Sequence, residues 1–174
     1  GLAASGSNNI PSFTATNSTT SPITATVTVT PTANGCTGTP TTFTITVYPT
    51  ATVNSIGNQS DCAGVPAPVT NLSGPVSGTT FTWTNSNTAI GLVASGSNNI
   101  PSFATTNATS SPITATVTVT PTANGCAGTP TTFTITVYPT ATVNSIANQS
   151  YCAGVLAPVT NLSGLVSGTT FTWT

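Results

Sequence analysis

Cysteine is the side chain of this sequence with the clearest covalent chemistry. Cys36, Cys62, Cys126 and Cys152 stand in the motifs NGCTG, QSDCAG, NGCAG and QSYCAG, respectively. They form no CxxC pair and the chain has no histidine, so neither a zinc site nor a thioredoxin-like motif is indicated. In an exported protein, disulfides are their simplest role. We predict a bridge between Cys62 and Cys126, with Cys36 and Cys152 bonded in the flanking units. A bond between neighbouring domains is the alternative, because the two motifs would lie at opposite poles of a standard sandwich.

Ionisable side chains are almost absent. The chain has no Lys, Arg or His, and Asp61 is its single carboxylate in 174 residues. General acid–base catalysis, activation of a nucleophile, and carboxylate or imidazole metal sites all require side chains that are missing. Nucleic-acid binding requires Lys and Arg to neutralise phosphates. The sequence therefore predicts that the protein is not an enzyme, holds no cofactor or metal, and does not bind nucleic acid.

Asn-x-Ser/Thr triplets are the second set of candidate sites. They begin at Asn17, Asn58, Asn71, Asn107, Asn148 and Asn161. Such triplets are acceptors for N-linked glycans, but they are frequent by chance in a chain rich in Thr, Ser and Asn. The alternative is an Asn that bonds its own backbone in a turn. We favour Asn17 and Asn107, because NST and NAT lie in polar, turn-like surroundings. Only 1% of the residues are charged, so sugars, including O-linked sugars on Thr, or burial in a permanent assembly would have to keep this surface in solution.

A repeated hairpin is predicted to position these side chains. Residues 23–49, ITATVTVTPTANGCTGTPTTFTITVYP, return almost unchanged at 113–139. Apolar residues alternate with Thr on both sides of a turn that contains Pro, Asn, Gly and Cys, which is typical of two half-buried strands. We expect the apolar face to pack into a core and the Thr face to lie outside.

The whole chain is a tandem repeat. Residues 1–84 align with residues 91–174 after a shift of 90 residues, with few differences; the counterpart of Asp61 is Tyr151. Near-identity at a fixed period marks a repeat architecture. The segment YPTATVNSI sets the boundaries, because its Pro ends a strand. We predict the C-terminal part of one repeat at 1–50, a complete repeat at 51–140, and the N-terminal part of the next at 141–174.

The complete repeat is expected to be an all-β, immunoglobulin-like sandwich, since short strands alternate with turn signals. Trp83, with Phe81 on the same face, is the expected centre of its core. Strands are predicted at about 51–56, 66–72, 79–84, 88–94, 101–106, 112–120 and 131–138.

Both flanking parts are incomplete, and the segment NSNTAI at 85–90 would be needed to join them into one repeat. Two hypotheses follow: the sequence is a window of a longer repetitive polypeptide, which we favour, or separate subunits complete one another's sandwiches by strand complementation. Both predict a linear, head-to-tail fibre of identical repeats. No apolar run is long enough to span a membrane and no signal peptide is recognised, so we expect an internal piece of an exported, extracellular protein.

Three other functions are alternatives to a structural role. Trp83 and Tyr48 would suit a carbohydrate-binding platform, although Trp83 has the spacing of a core residue. The TATVTVT strand resembles the Thr rows of ice-binding proteins, which need several stacked strands. Uncharged β-rich segments are also typical of amyloid, but Pro-rich turns disfavour a continuous cross-β stack.

The segments QSDCAG, SGTTFTWT, NNIPSF and NGCTGTP resemble the tandem PKD-like or immunoglobulin-like repeats of very large Bacteroidetes surface proteins. The resemblance covers the whole chain. It implies a secreted, cell-surface adhesin or filament, exported by the type IX route and associated with gliding motility. Such repeats usually act as stalks, so the resemblance implies a structural role, with identical repeats as partners.

Overall fold

The computed structural model describes residues Gly1–Thr174 as an all-β protein with one turn of 3-10 helix at Thr88–Ile90. No helix has the length and apolar character to cross a membrane. The strands are β1 (Ile23–Val29), β2 (Thr32–Ala33), β3 (Cys36–Thr37), β4 (Thr41–Val47), β5 (Gln59–Cys62), β6 (Pro66–Ala67), β7 (Thr80–Asn85), β8 (Ser95–Ser97), β9 (Phe103–Ala104), β10 (Ile113–Ala123), β11 (Cys126–Ala127) and β12 (Thr131–Tyr138).

The largest sheet has the strand order β5-β12-β10-β7-β8, with β11 paired to β10. A second ladder, β6–β9, is extended by a bridge between Thr70 and Ile100. This arrangement of sheets confirms the predicted all-β class and fits the predicted sandwich. In the part before residue 50 only the hairpin β1–β4 and the short pair β2–β3 are formed.

The core follows from the period-2 pattern of the sequence. Buried and exposed residues alternate strictly in β7, and every second residue of β10 from Ala115 is buried. Trp83 is 3% exposed and Phe81 is buried on the same face of β7, so the predicted centre of the core is confirmed. Further buried side chains are Ala67, Leu72, Ile90, Leu92, Ile100, Val117, Val119, Phe133, Ile135 and Val137.

Several predicted strands differ from those observed. Residues 51–56 contain no strand, and the first strand of the complete repeat is β5, which pairs in parallel with the end of β12. This pairing joins residues far apart in sequence, so periodicity could not reveal it. The expected strand 88–94 is replaced by the 3-10 turn, because the Asn87 side chain accepts a hydrogen bond from the backbone N–H of Ala89 and favours a helical start.

A two-residue turn closes the hairpin tip between β10 and β11. Asn124 and Gly125 both have positive φ, at 50° and 76°, as a type I′ turn requires. Asn34 and Gly35 adopt the same conformation in the first copy. The Asn-Gly dipeptide therefore determines the position of the cysteine that follows it.

The chain divides into two compact units, and the boundary between them crosses β7, β10 and β12. The first unit includes β1–β4 and a small buried cluster of Ala51, Val76 and Ala123. The second includes β5, β6, β8, β9 and the buried Trp83. The repeat boundaries predicted from the sequence, 1–50, 51–140 and 141–174, stay a prediction.

Candidate functional site

All four cysteines are free thiols on the surface. Cys62 is the last residue of β5 and pairs with Tyr138 at the end of β12. The next residue, Ala63, donates its N–H to the Tyr138 carbonyl at 2.9 Å and accepts a hydrogen bond from the Thr140 hydroxyl at 3.1 Å. Cys62 therefore lies where the chain leaves the complete repeat.

Cys126 lies in the hairpin tip, where it pairs with Ala123. Two residues later, Gly128 approaches the backbone of Ala51 so closely that a Cβ would stand 1.8 Å from the Ala51 carbonyl oxygen. Ala51 is the first residue of the predicted complete repeat. Cys126 therefore lies where the chain enters the repeat.

The predicted bridge between Cys62 and Cys126 is not seen in the structure, where both thiols are free, and it stays a prediction. Cys62 is level with the last residue of β12, whereas Cys126 precedes its first residue, Thr131. A strand rises about 3.3 Å per residue, so β12 spans roughly 23 Å. A disulfide requires Cα atoms within about 7 Å. In this structure the pairing of β5 with the far end of β12 therefore separates the two cysteines along β12.

A buried hydroxyl supports the Cys62 corner. The Thr105 side chain is 2% exposed, and its hydroxyl lies 2.8 Å from the Cys62 carbonyl oxygen and 2.6 Å from that of Val65. The backbone N–H of Gly64 also donates to the Thr105 carbonyl, at 2.9 Å. Thr105 was not predictable, because a single Thr in a Thr-rich chain carries no signal. Its counterpart in the first copy is Ala15.

The favoured glycan acceptors, Asn17 and Asn107, have structural roles in the loops that contain them. The amide nitrogen of Asn107 donates to the carbonyls of Ser111 and Val137, at 2.9 and 2.8 Å. Its side-chain oxygen accepts from the Thr109 N–H and hydroxyl, at 2.9 and 2.8 Å. Asn17 makes the same four hydrogen bonds one period earlier. The side-chain amides of Asn17 and Asn107 therefore connect their loops by hydrogen bonds to the C-terminal ends of β4 and β12.

The other triplets are more accessible. The side-chain oxygen of Asn58 accepts from the Thr134 N–H at 2.9 Å, and that of Asn71 accepts from the Asn99 side chain at 2.9 Å. In neither of these hydrogen bonds is the amide nitrogen of Asn58 or Asn71 the donor. Asn148 and Asn161 are exposed. Glycosylation at these positions stays a prediction.

The flanking parts present open apolar surfaces. A cleft of about 210 Å³ in the first part is lined by residues that include Leu2, Phe13, Ile23, Ile45 and Val47. In the last part, a cleft of about 420 Å³ is lined by residues that include Val143, Ile146, Leu162, Phe171 and Trp173. Most counterparts of these residues in the complete repeat are buried.

Trp83 and Tyr48 do not form an exposed aromatic surface for carbohydrate binding. Tyr48 is exposed, but Trp83 is inside the core, where the Cβ of any residue replacing Gly96 would stand 2.3 Å from its indole ring. The indole N–H of Trp83 has no hydrogen-bond partner. No three His, Cys, Asp or Glu side chains lie together as a metal site would require.

An all-β protein with sheets of the sandwich type is the class that this fold defines. Residues 59–141, just under half of the chain, match the family model of the PKD-like domain. This segment is therefore similar to PKD-like domains, which are immunoglobulin-like sandwiches that are generally non-catalytic and typically extracellular. No curated protein sequence matches the chain.

Proposed function

We propose that this chain is part of an extracellular bacterial filament or adhesin stalk in which identical repeats are linked head to tail. One observation carries the proposal: apolar side chains that are buried in the complete repeat have counterparts, 90 residues earlier or later, that are exposed to solvent in the flanking parts. Trp83 is 3% exposed and its counterpart Trp173 is 86% exposed; Ile100 is fully buried and Ile10 is 43% exposed. Apolar surface of this extent is unfavourable in water, at about 25 cal/mol per Å².

The repeat itself supplies the segment that would cover these surfaces. In the large sheet, β10 lies between β12 and β7. Its counterpart β1 pairs only with β4, so one edge of β1 has no neighbour. Residues 170–174, TFTWT, have the sequence of residues 80–84, which lie in β7. A segment of this sequence is therefore the expected partner for β1.

We further propose that the repeats belong to one continuous polypeptide. Residues 85–90 of the complete repeat supply two buried side chains, Asn85 and Ile90. The Asn85 amide nitrogen has two N–H donors and lies within hydrogen-bond distance of the carbonyls of Asn87, Leu92 and Val93. These contacts hold the segment in place. In a continuous polypeptide, every repeat would contain this segment and bury these two side chains.

Intact-mass analysis of the native material tests chain continuity. We expect a mass of many repeats, whereas a discrete species near 17.1 kDa would contradict a continuous chain and favour strand complementation.

A fusion of two copies of the 174-residue chain through the sequence NSNTAI tests repeat completion independently. Trp173 of the first copy should then be buried and its fluorescence emission should move to shorter wavelength, relative to the single chain. A shorter linker of polar residues provides the control. An unchanged emission in the NSNTAI fusion would contradict the head-to-tail proposal.

The surface chemistry supports an exported, sugar-coated role. With 1% charged residues, the chain lacks the charges that normally keep a domain in solution, about 25% of residues. We propose glycans at the triplets. Asn71 and Asn161 are better placed than Asn17 and Asn107. A glycan on Asn107 would replace one of the two amide hydrogens, and both of them donate hydrogen bonds in the structure. Glycopeptide mass spectrometry of the native protein tests this, and bare peptide masses at every triplet would contradict it.

A further inference from the structure

We propose that neighbouring repeats are joined by disulfides, each between the QSxCAG cysteine of one repeat and the NGC cysteine of the next. This inference rests on the head-to-tail arrangement proposed above. It is the alternative to the predicted bridge within one repeat, and it assigns a role to all four exposed thiols.

Strand direction places the two thiols at opposite ends of the repeat. Cys62 is beside Tyr138, three residues before the chain begins the next repeat at Ala141. Cys126 follows the Asn-Gly turn beyond the start of β12, and Gly128 in the same segment contacts Ala51, the first residue of the repeat. In a head-to-tail array, the end carrying Cys62 therefore faces the end of the next repeat that carries the NGC cysteine.

Both thiols are exposed and lie in segments that the repeat holds in place. The Cys62 corner is fixed by hydrogen bonds from Ala63 to Tyr138 and from the buried Thr105 hydroxyl to the Cys62 carbonyl. The Cys126 tip is fixed by its ladder pairing with Ala123 and by the hydrogen bond from the Gly128 N–H to the Pro121 carbonyl, at 2.8 Å. Cysteines in a backbone that is already ordered lose less conformational entropy when they form a disulfide than cysteines in mobile loops.

The bond forms by oxidation of two thiols. Each pair loses two protons and two electrons to an external disulfide, either a small-molecule disulfide or an exported thiol–disulfide oxidoreductase, which is reduced to the dithiol. The first step is attack of one thiolate on that external disulfide. The resulting mixed disulfide is then resolved by the cysteine across the junction.

Sequence differences between the copies label the four cysteines by mass. Asp61 precedes Cys62, whereas Tyr151 precedes Cys152. Thr37 follows Cys36, whereas Ala127 follows Cys126. Bonds between neighbours join Asp-Cys to Cys-Thr peptides and Tyr-Cys to Cys-Ala peptides. Bonds within a repeat give the opposite combinations, Asp-Cys with Cys-Ala and Tyr-Cys with Cys-Thr.

The test uses two copies of the chain fused through NSNTAI and oxidised with glutathione disulfide. Digestion at aromatic residues, which leaves Cys152 at the start of a peptide that Leu156 and Leu165 distinguish by mass from the Cys62 peptide, is followed by mass spectrometry without reduction. It should link Cys62 of the first copy to Cys36 of the second. It should also link Cys152 of the first copy to Cys126 of the second. A peptide that links Cys62 to Cys126 within one copy would overturn the proposal.

Single substitutions give a matched control. In the fusion, Cys36→Ser in the second copy should make Cys62 of the first copy available to a thiol-alkylating reagent and leave Cys152 protected. Cys126→Ser in the second copy should do the reverse. Bonds within a repeat predict a different pattern: Cys36→Ser would expose Cys152 of the first copy, and Cys126→Ser would expose Cys62 of the second copy and leave both Cys62 and Cys152 of the first copy protected.

Trp173 fluorescence separates the failure of this inference from the failure of the function on which it rests. Buried Trp173 with free cysteines would overturn the disulfides alone. Exposed Trp173 with free cysteines would overturn both the disulfides and the head-to-tail arrangement.

Discussion

The predicted complete repeat, residues 51–140, and the parts on either side of it have nearly the same sequence, but their equivalent strands have different neighbours. The hairpin β10–β12 and the hairpin β1–β4 carry equivalent alternating residues, and each has a Thr–Thr contact of 2.9 Å on its outer face, Thr114–Thr136 and Thr24–Thr46. Only the first of them has β7 and β5 as neighbours in its sheet. Accordingly Phe133 is 2% exposed and its counterpart Phe43 is 41% exposed.

The comparison shows which interactions are local and which require the whole sandwich. Hairpin pairing, the Asn-Gly turns and the Asn loops form in both copies, because their partners lie within a few dozen residues of sequence. Burial of the apolar face forms in one copy only. Pairs of substitutions at equivalent positions therefore separate the two contributions.

The largest expected difference is between Trp83→Ala and Trp173→Ala in the 174-residue chain. Removing the buried indole of Trp83 should lower the free energy of unfolding by about 3–5 kcal/mol, because it leaves a cavity in the core. Trp173→Ala should leave it unchanged, because Trp173 is exposed. Urea unfolding followed by circular dichroism measures both. Equal effects would contradict the difference in burial between the two copies.

Gly96→Ala is expected to have the next largest effect. The new methyl group would stand 2.3 Å from Cζ2 of the Trp83 ring, so the ring or the backbone of β8 must move. Overpacking of this kind costs about 3 kcal/mol. The control is Gly6→Ala, since no atom lies within 4 Å of the added Cβ there. The midpoints of thermal unfolding of the two variants should differ accordingly, and a stable Gly96→Ala protein would show that the packing of Trp83 against Gly96 is loose.

Asn107→Ala tests whether the NxT loops depend on the sandwich. Loss of the amide leaves the Val137 carbonyl at the end of β12 without its donor, which should destabilise the complete repeat by about 2 kcal/mol. Asn17→Ala removes the equivalent bond to Val47 in the open hairpin. It should leave the main unfolding transition unchanged, and amide hydrogen exchange should show only local opening. A shift of the main transition by Asn17→Ala would mean that the first part unfolds together with the complete repeat.

Thr105→Val is expected to have the smallest effect, about 1 kcal/mol, because it removes one buried hydroxyl and its hydrogen bonding to the Cys62 corner. Ala15→Thr introduces the same hydroxyl in the first part, where no cysteine corner is present, and should change nothing. Hydrogen exchange at Gly64 and Val65 provides a local measurement. Unchanged protection there in the Thr105→Val protein would show that Thr105 does not hold the corner.

Much of the fold was predictable because its patterns are local. Alternation in β7, β10 and β12 identified the core face and Trp83, and the Asn-Gly dipeptides identified the hairpin tips. The strand β5 was missed and a strand at 51–56 was wrongly predicted. The residues of β5, QSDC, show no apolar alternation, and its pairing with β12 joins positions more than 70 residues apart.

The residue types and positions of the candidate sites were predictable from the sequence, but the contacts that these residues make were not. Cysteine and asparagine positions are read directly from the sequence, but their partners depend on where strand ends meet. Asn107 was favoured as a glycan acceptor because its surroundings are polar, and the structure uses that same amide to close a loop on Val137. Thr105 is one of many Thr residues, and only its burial distinguishes it.

The sequence by itself determined the all-β class, the 90-residue period and the near absence of charged side chains, because composition and periodicity do not depend on distant contacts. The tertiary structure alone decided that Cys62 and Cys126 lie at opposite ends of β12. Strand direction and the parallel pairing of β5 with β12 are set by packing of the whole sheet, and no local pattern encodes them.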